Sequence, residues 1–178
     1  MMKKETILIN GCSTGLGLDT YKHLEKKYDV FGLSSNSTGK NIFFFNPLKN
    51  PKISIETENK LKKINFNHII HCAGGGLGYR EKNLSIEKLI ELFNINFFSI
   101  FAINKLIINN KSKSKPLNII MVSSIAAFED KASIGYTVAK STLLSYNKLL
   151  ATNFIKEKVT SKLIVPGSFL STNGSMRR

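Results

Sequence analysis

The sequence predicts an α/β domain, a parallel sheet with helices packed on both of its faces. Three observations carry that prediction. Short apolar runs alternate with helix-like segments along all 178 residues, the pattern of a sheet wound with crossover helices. The first run, residues 6–9, leads through a glycine-rich turn into a segment with helical periodicity, the setting a phosphate-cradling loop requires. The glycine-rich and polar stretches that invite chemistry all follow the C-terminal ends of predicted strands, the edge at which such sheets bind ligands.

In chain order, the run at 6–9 ends at Asn10-Gly11-Cys12-Ser13-Thr14-Gly15-Leu16-Gly17, after which Leu18, Tyr21 and Leu24 recur at helical steps. Gly11 allows a tight turn, Gly15 close approach of a pyrophosphate, and Gly17 close packing of helix on strand. Cys12 falls in this loop, so a bound dinucleotide is expected to slow its alkylation. A second strand, 29–33, runs into Ser34-Ser35-Asn36-Ser37 with no carboxylate between Asp29 and Glu56. An acidic residue near here usually holds the adenine ribose hydroxyls; serines and Asn36, with Lys40 close by, suit a 2′-phosphate better. Residues 41–45 read as a fully apolar third strand, closed by Asn46-Pro47, and 51–64 as a lysine-rich helical connection. A fourth strand, 67–72, ends at Ala73-Gly74-Gly75-Gly76, a backbone surface that something flat can approach. His68 and His71 lack companions at metal-ligand spacing and read as ordinary strand-end residues.

Ser85 can cap a long helix with Glu87 in its first turn, and Leu89, Leu92, Phe93, Asn96 and Ile100 then share an inward face. An asparagine on that stripe requires hydrogen-bond partners. A fifth strand, 118–123, delivers Ser123-Ser124, and a helix over 133–156 places Tyr136 and Lys140 four residues apart on one face. The chemistry gives that spacing a purpose. Free tyrosine titrates near ~10 and is a poor base at neutral pH; a lysine cation about 4 Å away in a shielded site favours the phenolate by about 4 kcal/mol. Tyr136 can then exchange a proton with a substrate hydroxyl or carbonyl while a serine hydroxyl holds the same oxygen. A sixth strand, 160–165, ends in Pro166-Gly167.

Composition narrows the classes. Apolar content of 42% and charged content of 21% describe one globular domain spanning 1–178. The net charge of +14 comes from lysines scattered along the chain, with a short cluster at Lys111, Lys113 and Lys115 and no aromatic-interleaved basic stripe. That favours attraction of anionic small molecules over a nucleic-acid partner. Two cysteines do not make a disulfide framework. The apolar run after the N-terminal lysines is too short for a signal segment, and the longest apolar stretch, 96–108, is interrupted by Asn104 and Lys105. A cytoplasmic protein without a membrane partner is expected.

Over essentially its full length the chain resembles the short-chain dehydrogenase/reductase family. The stretch from Asn10 to Gly17 is similar to the family's T-G-x-x-x-G-x-G loop with asparagine for threonine, and His71-Cys72-Ala73-Gly74 resembles its N-N-A-G turn with both asparagines replaced. Asn94-Ile95-Asn96-Phe97, the set Ser124, Tyr136 and Lys140, and Pro166-Gly167 match further motifs. The resemblance implies a Rossmann-like sheet of order 3-2-1-4-5-6. It also implies NAD(P)(H) and hydride exchange with a small-molecule alcohol or carbonyl substrate, and the carboxylate-free end of strand two favours NADP(H) over NAD(H).

Catalytic roles then fall on Asn96, Ser124, Tyr136 and Lys140. Cofactor contacts fall on Gly11, Ser13, Thr14, Gly15, Leu16, Gly17, Ser34, Ser35, Asn46, Ala73, Gly74, Pro166 and Gly167, and again on Tyr136 and Lys140. Ser171 falls where the family has a threonine near the nicotinamide amide. The loop before Tyr136 is one residue shorter than usual, which leaves Ser123 as the alternative to Ser124. The family's seventh strand is lacking before Arg178, so strand six is expected to be a sheet edge and the chain to form a homo-oligomer or associate through that edge. The alternative function is a non-catalytic dinucleotide-binding module or truncated remnant, acting as a sensor or partner subunit.

Overall fold

A computed structural model describes residues 4–36 and 39–168. Six strands, β1 (Thr6–Asn10), β2 (Asp29–Ser34), β3 (Ile42–Phe44), β4 (His68–His71), β5 (Leu117–Val122) and β6 (Val159–Ile164), form one sheet in the order β3-β2-β1-β4-β5-β6. All five pairings are parallel, as the alternation of runs and helices predicts. The winding reverses between β1 and β4, so a crevice opens at their C-terminal ends. Helices α1 (Gly15–Leu24), α2 (Ile55–Lys62), α3 (Ile86–Phe93), α4 (Ser99–Asn110) and α5 (Ile134–Asn153) make the crossovers.

Strand residues alternate between the two faces. Leu8, Ile69 and Ile119 point to one side and pack with Ile100 and Ile103 of α4 and Leu143 of α5, all fully buried. Ile7 and Ile9 point to the other, against Tyr21 and Leu24 of α1. Each such side chain contributes about 1.5–3 kcal/mol when buried. Ser54 and Ser85 cap α2 and α3 by accepting from the backbone N–H of Thr57 and Lys88.

Two elements differ from expectation. The third strand spans three residues rather than five and is not fully apolar in setting: Phe44 is 54% exposed while Phe45 turns inward. As an edge strand it pairs only with β2, so one of its faces has little to cover it. The single long helix after Ser85 is instead α3 and α4 joined through a π-helical turn, Asn94–Phe98, which hydrophobic periodicity does not signal. Among the described residues strand six is an edge, as expected; its last residue Ile164 and the following Val165 are 51% and 36% exposed. No described helix is long and apolar enough to cross a membrane.

His71 ends β4 as a wholly buried imidazole. Its Nε2–H donates to Asn104 Oδ1 on α4 at 2.8 Å, and its Nδ1 accepts from Asn10 Nδ2 on β1 at 3.3 Å. Asn104 Nδ2 in turn donates to the Tyr146 hydroxyl on α5 at 3.3 Å. That bonding needs a neutral ring, and burial, assisted by the charge of Lys140, lowers the His71 pKa from 6.5 to about 4.

Between those values the unfolded chain binds the proton and the folded chain does not, so stability is held above pH 6.5 and lost as pH falls toward 4. The expected slope approaches ~1.4 kcal/mol per pH unit. Urea midpoints at pH 7.5 and 5 should therefore fall more for the parent than for His71→Gln. Equal falls in the two proteins would show that His71 does not control the acid limb.

Candidate active site

The crevice is built by three strand ends packed nearly into contact. Gly11 adopts φ +86°, and a β-carbon there would lie 2.6 Å from the Ala73 backbone. A β-carbon on Gly17 would lie 2.0 Å from the Gly11 carbonyl oxygen, so the start of α1 is pressed against the loop. Thr14 caps α1 without a side-chain hydrogen bond, and no acidic residue occupies the first turn. The free amide N–H groups and the helix dipole there favour an anion.

A cavity of about 410 Å³ runs along this edge. Asn10, Gly11, Ser13 and Thr14 line it from β1; Ser35, Asn36 and Asn46 from the far end; Ala73, Gly74 and Leu77 from β4. No carboxylate lines it among the described residues. Its hydroxyl end is bonded together: Ser13 Oγ and Ser34 Oγ are 2.8 Å apart, Ser35 N–H donates to Ser13 Oγ, and Asn36 N–H donates to Ser34 Oγ. A dinucleotide's phosphates and sugars fit these donors, and the glycine floor leaves room for a flat ring.

The expected cofactor residues divide by position. Ser34 is buried beneath Ser13 rather than lining the cavity, and Asn46 Oδ1 accepts from Leu48 N–H at 3.2 Å. Gly15 opens α1, while Leu16 and Pro166 line a separate apolar groove on the α1 face with Ile70, Ile120, Val122 and Ile164. Pro166 accepts from Ile125 N–H at 2.9 Å, and Gly167 is exposed after β6. Ser171 lies outside the described residues. The expectation for Cys12 is corrected. Its thiol is 1% exposed and turns under β2 into space that Gly32 leaves, where a β-carbon would sit 2.4 Å from the sulfur. Burial raises both the Cys12 and Cys72 pKa values, so Cys12 is already shielded by the fold.

At Gly74 the cavity meets the expected catalytic group. Gly74 has φ +143°, and a β-carbon there would stand 2.5 Å from Asn96 Oδ1 and 2.7 Å from Lys140 Nζ. Asn96, buried in the π-helical turn, grips the next residue from both sides. Its Nδ2 donates to the Gly75 carbonyl at 2.9 Å and its Oδ1 accepts from Gly75 N–H at 3.0 Å. A second Nδ2 bond, to the Leu92 carbonyl at 2.9 Å, ties it to α3. These are the partners that the polar residue on the inward stripe requires.

Lys140 is 3% exposed and donates to the Val122 carbonyl at 3.0 Å; burial lowers its pKa to about 8. Its Nζ lies 5.9 Å from the ring centroid of Tyr136, one turn earlier on α5. The two serines have different tasks. Ser123 is buried and donates to the Lys140 carbonyl at 3.1 Å. Ser124 is half-buried, and its Oγ accepts from Ala126 N–H at 3.2 Å, which leaves the hydroxyl proton without an acceptor among the described residues.

Sequence reasoning missed the His71–Asn104 bridge, the role of Gly75 and the π-helical turn. Histidine at both ends of an otherwise apolar strand was the one available signal for the bridge. Among the described residues no His, Cys, Asp or Glu cluster has metal-site geometry.

Comparison with known proteins agrees with this architecture. Residues 52–178 match the family model described as short chain dehydrogenase. The 3-oxoacyl-(acyl-carrier-protein) reductase FabG of Buchnera aphidicola subsp. Schizaphis graminum is 26% identical over 186 residues, covering 97% of this chain and 76% of the relative. The 7alpha-hydroxysteroid dehydrogenase of Paraclostridium sordellii is 31% identical over 107 residues, 57% of this chain and 40% of that protein. Among solved structures, an oxidoreductase of the same family from Burkholderia thailandensis superposes with a TM-score of 0.81 at 16% identity, over 96% of this chain and 71% of the other. Aldohexose dehydrogenase from Thermoplasma acidophilum gives 0.80 at 16% identity, over 96% and 69%. By its matched residues and its strand order together, the chain belongs to the short-chain dehydrogenase/reductase family of oxidoreductases.

Proposed function

We propose that the protein interconverts a small-molecule alcohol and the corresponding carbonyl compound, with NADP(H) favoured over NAD(H). The observation that carries this reading is the burial of Lys140, the one buried lysine among the described residues, one helical turn from Tyr136 and against the glycine floor at Gly74. Burying an ammonium costs several kcal/mol, and such a cost is commonly tolerated where chemistry uses the charge.

The dinucleotide supplies or accepts the hydride. Ser124 donates its hydroxyl proton in a hydrogen bond to the substrate oxygen and holds it toward Tyr136. In the reducing direction the Tyr136 hydroxyl gives its proton to that oxygen, and the nearby Lys140 cation stabilises the phenolate left behind. In the oxidising direction the same proton returns to Tyr136. Asn96 keeps Gly75 in place, and through it the loop beneath the reacting groups. Preference for a 2′-phosphate rests on Ser13, Ser35 and Asn36 and on the lining's lack of carboxylates. With no arginine there, a modest margin is expected.

Tyr136→Phe should lower kcat/KM for any carbonyl substrate by at least ~10², while the Kd for NADPH from fluorescence titration changes little. Turnover equal to the parent's would remove Tyr136 from the mechanism. The same titration at matched salt should give a smaller Kd for NADPH than for NADH; equal or reversed values would refute the assignment of the hydroxyl cluster to a 2′-phosphate.

A further inference from the structure

The loop after β4 carries Gly74, Gly75, Gly76, Leu77 and Gly78, and these residues are not interchangeable. Gly74, Gly75 and Gly78 have φ of +143°, +158° and +76°, where a side chain is strained. Gly76 does not: its backbone lies outside the positive-φ region, so any L-residue could occupy it. Leu77, at φ 53°, lines the dinucleotide cavity. The loop thus places its one bulky residue on the cofactor side and presents no side chain at Gly76.

The neighbourhood of Gly76 is Tyr136. A β-carbon built there would meet Tyr136 Cγ at 3.9 Å and Cβ at 4.0 Å, ordinary van der Waals contact. Apart from its chain neighbours, no other described residue comes within 4 Å of that point. Backbone conformation therefore does not demand glycine here, nor does packing. What glycine provides is open space beside the ring of the proposed proton donor.

We propose that Gly76 is a specificity-determining residue: by leaving the flank of Tyr136 open, it admits ketones and secondary alcohols whose reacting carbon carries a bulky, branched or cyclic group. This rests on the reading of Tyr136 as the proton donor. A methyl at position 76 would touch the base of the ring, and a branched side chain would take up the space beside it. Substrates with a small group on that side would lose little, because their reacting carbon does not need the flank. Cofactor binding would be unaffected, since Gly76 does not line the dinucleotide cavity.

The test compares the parent with Gly76→Ala and Gly76→Val on two ketones, 2-butanone and cyclohexyl methyl ketone, with NADPH as reductant and NADPH affinity measured separately by fluorescence. A lost or displaced methylene in an apolar pocket changes kcat/KM by roughly 10–200-fold. The expected result is a fall of at least ~10-fold for Gly76→Val on the cyclohexyl ketone, a smaller fall for Gly76→Ala, near-parent rates on 2-butanone, and NADPH Kd within about twofold throughout. If Gly76→Val does not fold, the ratio of the two ketones in Gly76→Ala decides alone. An unchanged ratio in the folded variants overturns the specificity role and leaves the proton-donor reading standing. A parent that binds NADPH but reduces neither these ketones nor a wider series of simple carbonyl compounds overturns both.

Discussion

The structure depends on a cation buried where only glycine can face it. Lys140 sits almost out of solvent, with one hydrogen bond to the carbonyl at the end of β5. Coulomb interactions in such a setting are several times stronger than in water, so the charge acts on what adjoins it. The backbone at Gly74 adjoins it, with Tyr136 one helical turn away. Any side chain at Gly74 would occupy the space of the Asn96 amide and the ammonium.

Much of the rest serves to hold that approach. Asn96 fixes Gly75 through both its amide and its carbonyl, and it reaches that position from a π-helical turn that offsets α4 from α3. From the other side, the carbonyl of Asn10 accepts the N–H groups of Cys72 and Ala73, both at 2.9 Å, drawing the start of the glycine loop onto β1. His71 ties the same strand end to α4 through Asn104. Four elements thus converge on a few residues of backbone, which lie between the cavity at the strand ends and the Tyr136 side chain.

The sheet was legible in the sequence because its central strands are covered on both faces and carry apolar runs, as at Ile7-Leu8-Ile9 and Ile119-Ile120-Met121-Val122. The order of strands followed from the resemblance to the family, and the placing of Tyr136 and Lys140 on one helical face from their four-residue spacing. What escaped was whatever depends on three-dimensional meeting. Cys12 lies in the loop by sequence yet turns beneath β2, because Gly32 across the pair leaves it room. Phe44 and Phe45 look alike in composition, but only one faces the core of an edge strand. The π-helical turn inserts extra residues into a helix without breaking its apolar character. His71 resembles any strand-end polar residue until Asn10 and Asn104 arrive from distant parts of the chain.

The central claim is that glycine at position 74 is required by the buried ammonium and the Asn96 amide rather than by the turn alone. Gly74→Ala tests it directly, with Gly78→Ala as the control, since Gly78 also has a positive φ, +76°, but a β-carbon there meets nothing within 4 Å. Displacing Lys140 by about 1 Å should lower kcat/KM of Gly74→Ala by about 10², with a cooperative melt retained and kcat/KM of Gly78→Ala close to the parent's. A folded Gly74→Ala protein with parent-like kcat/KM would contradict the account.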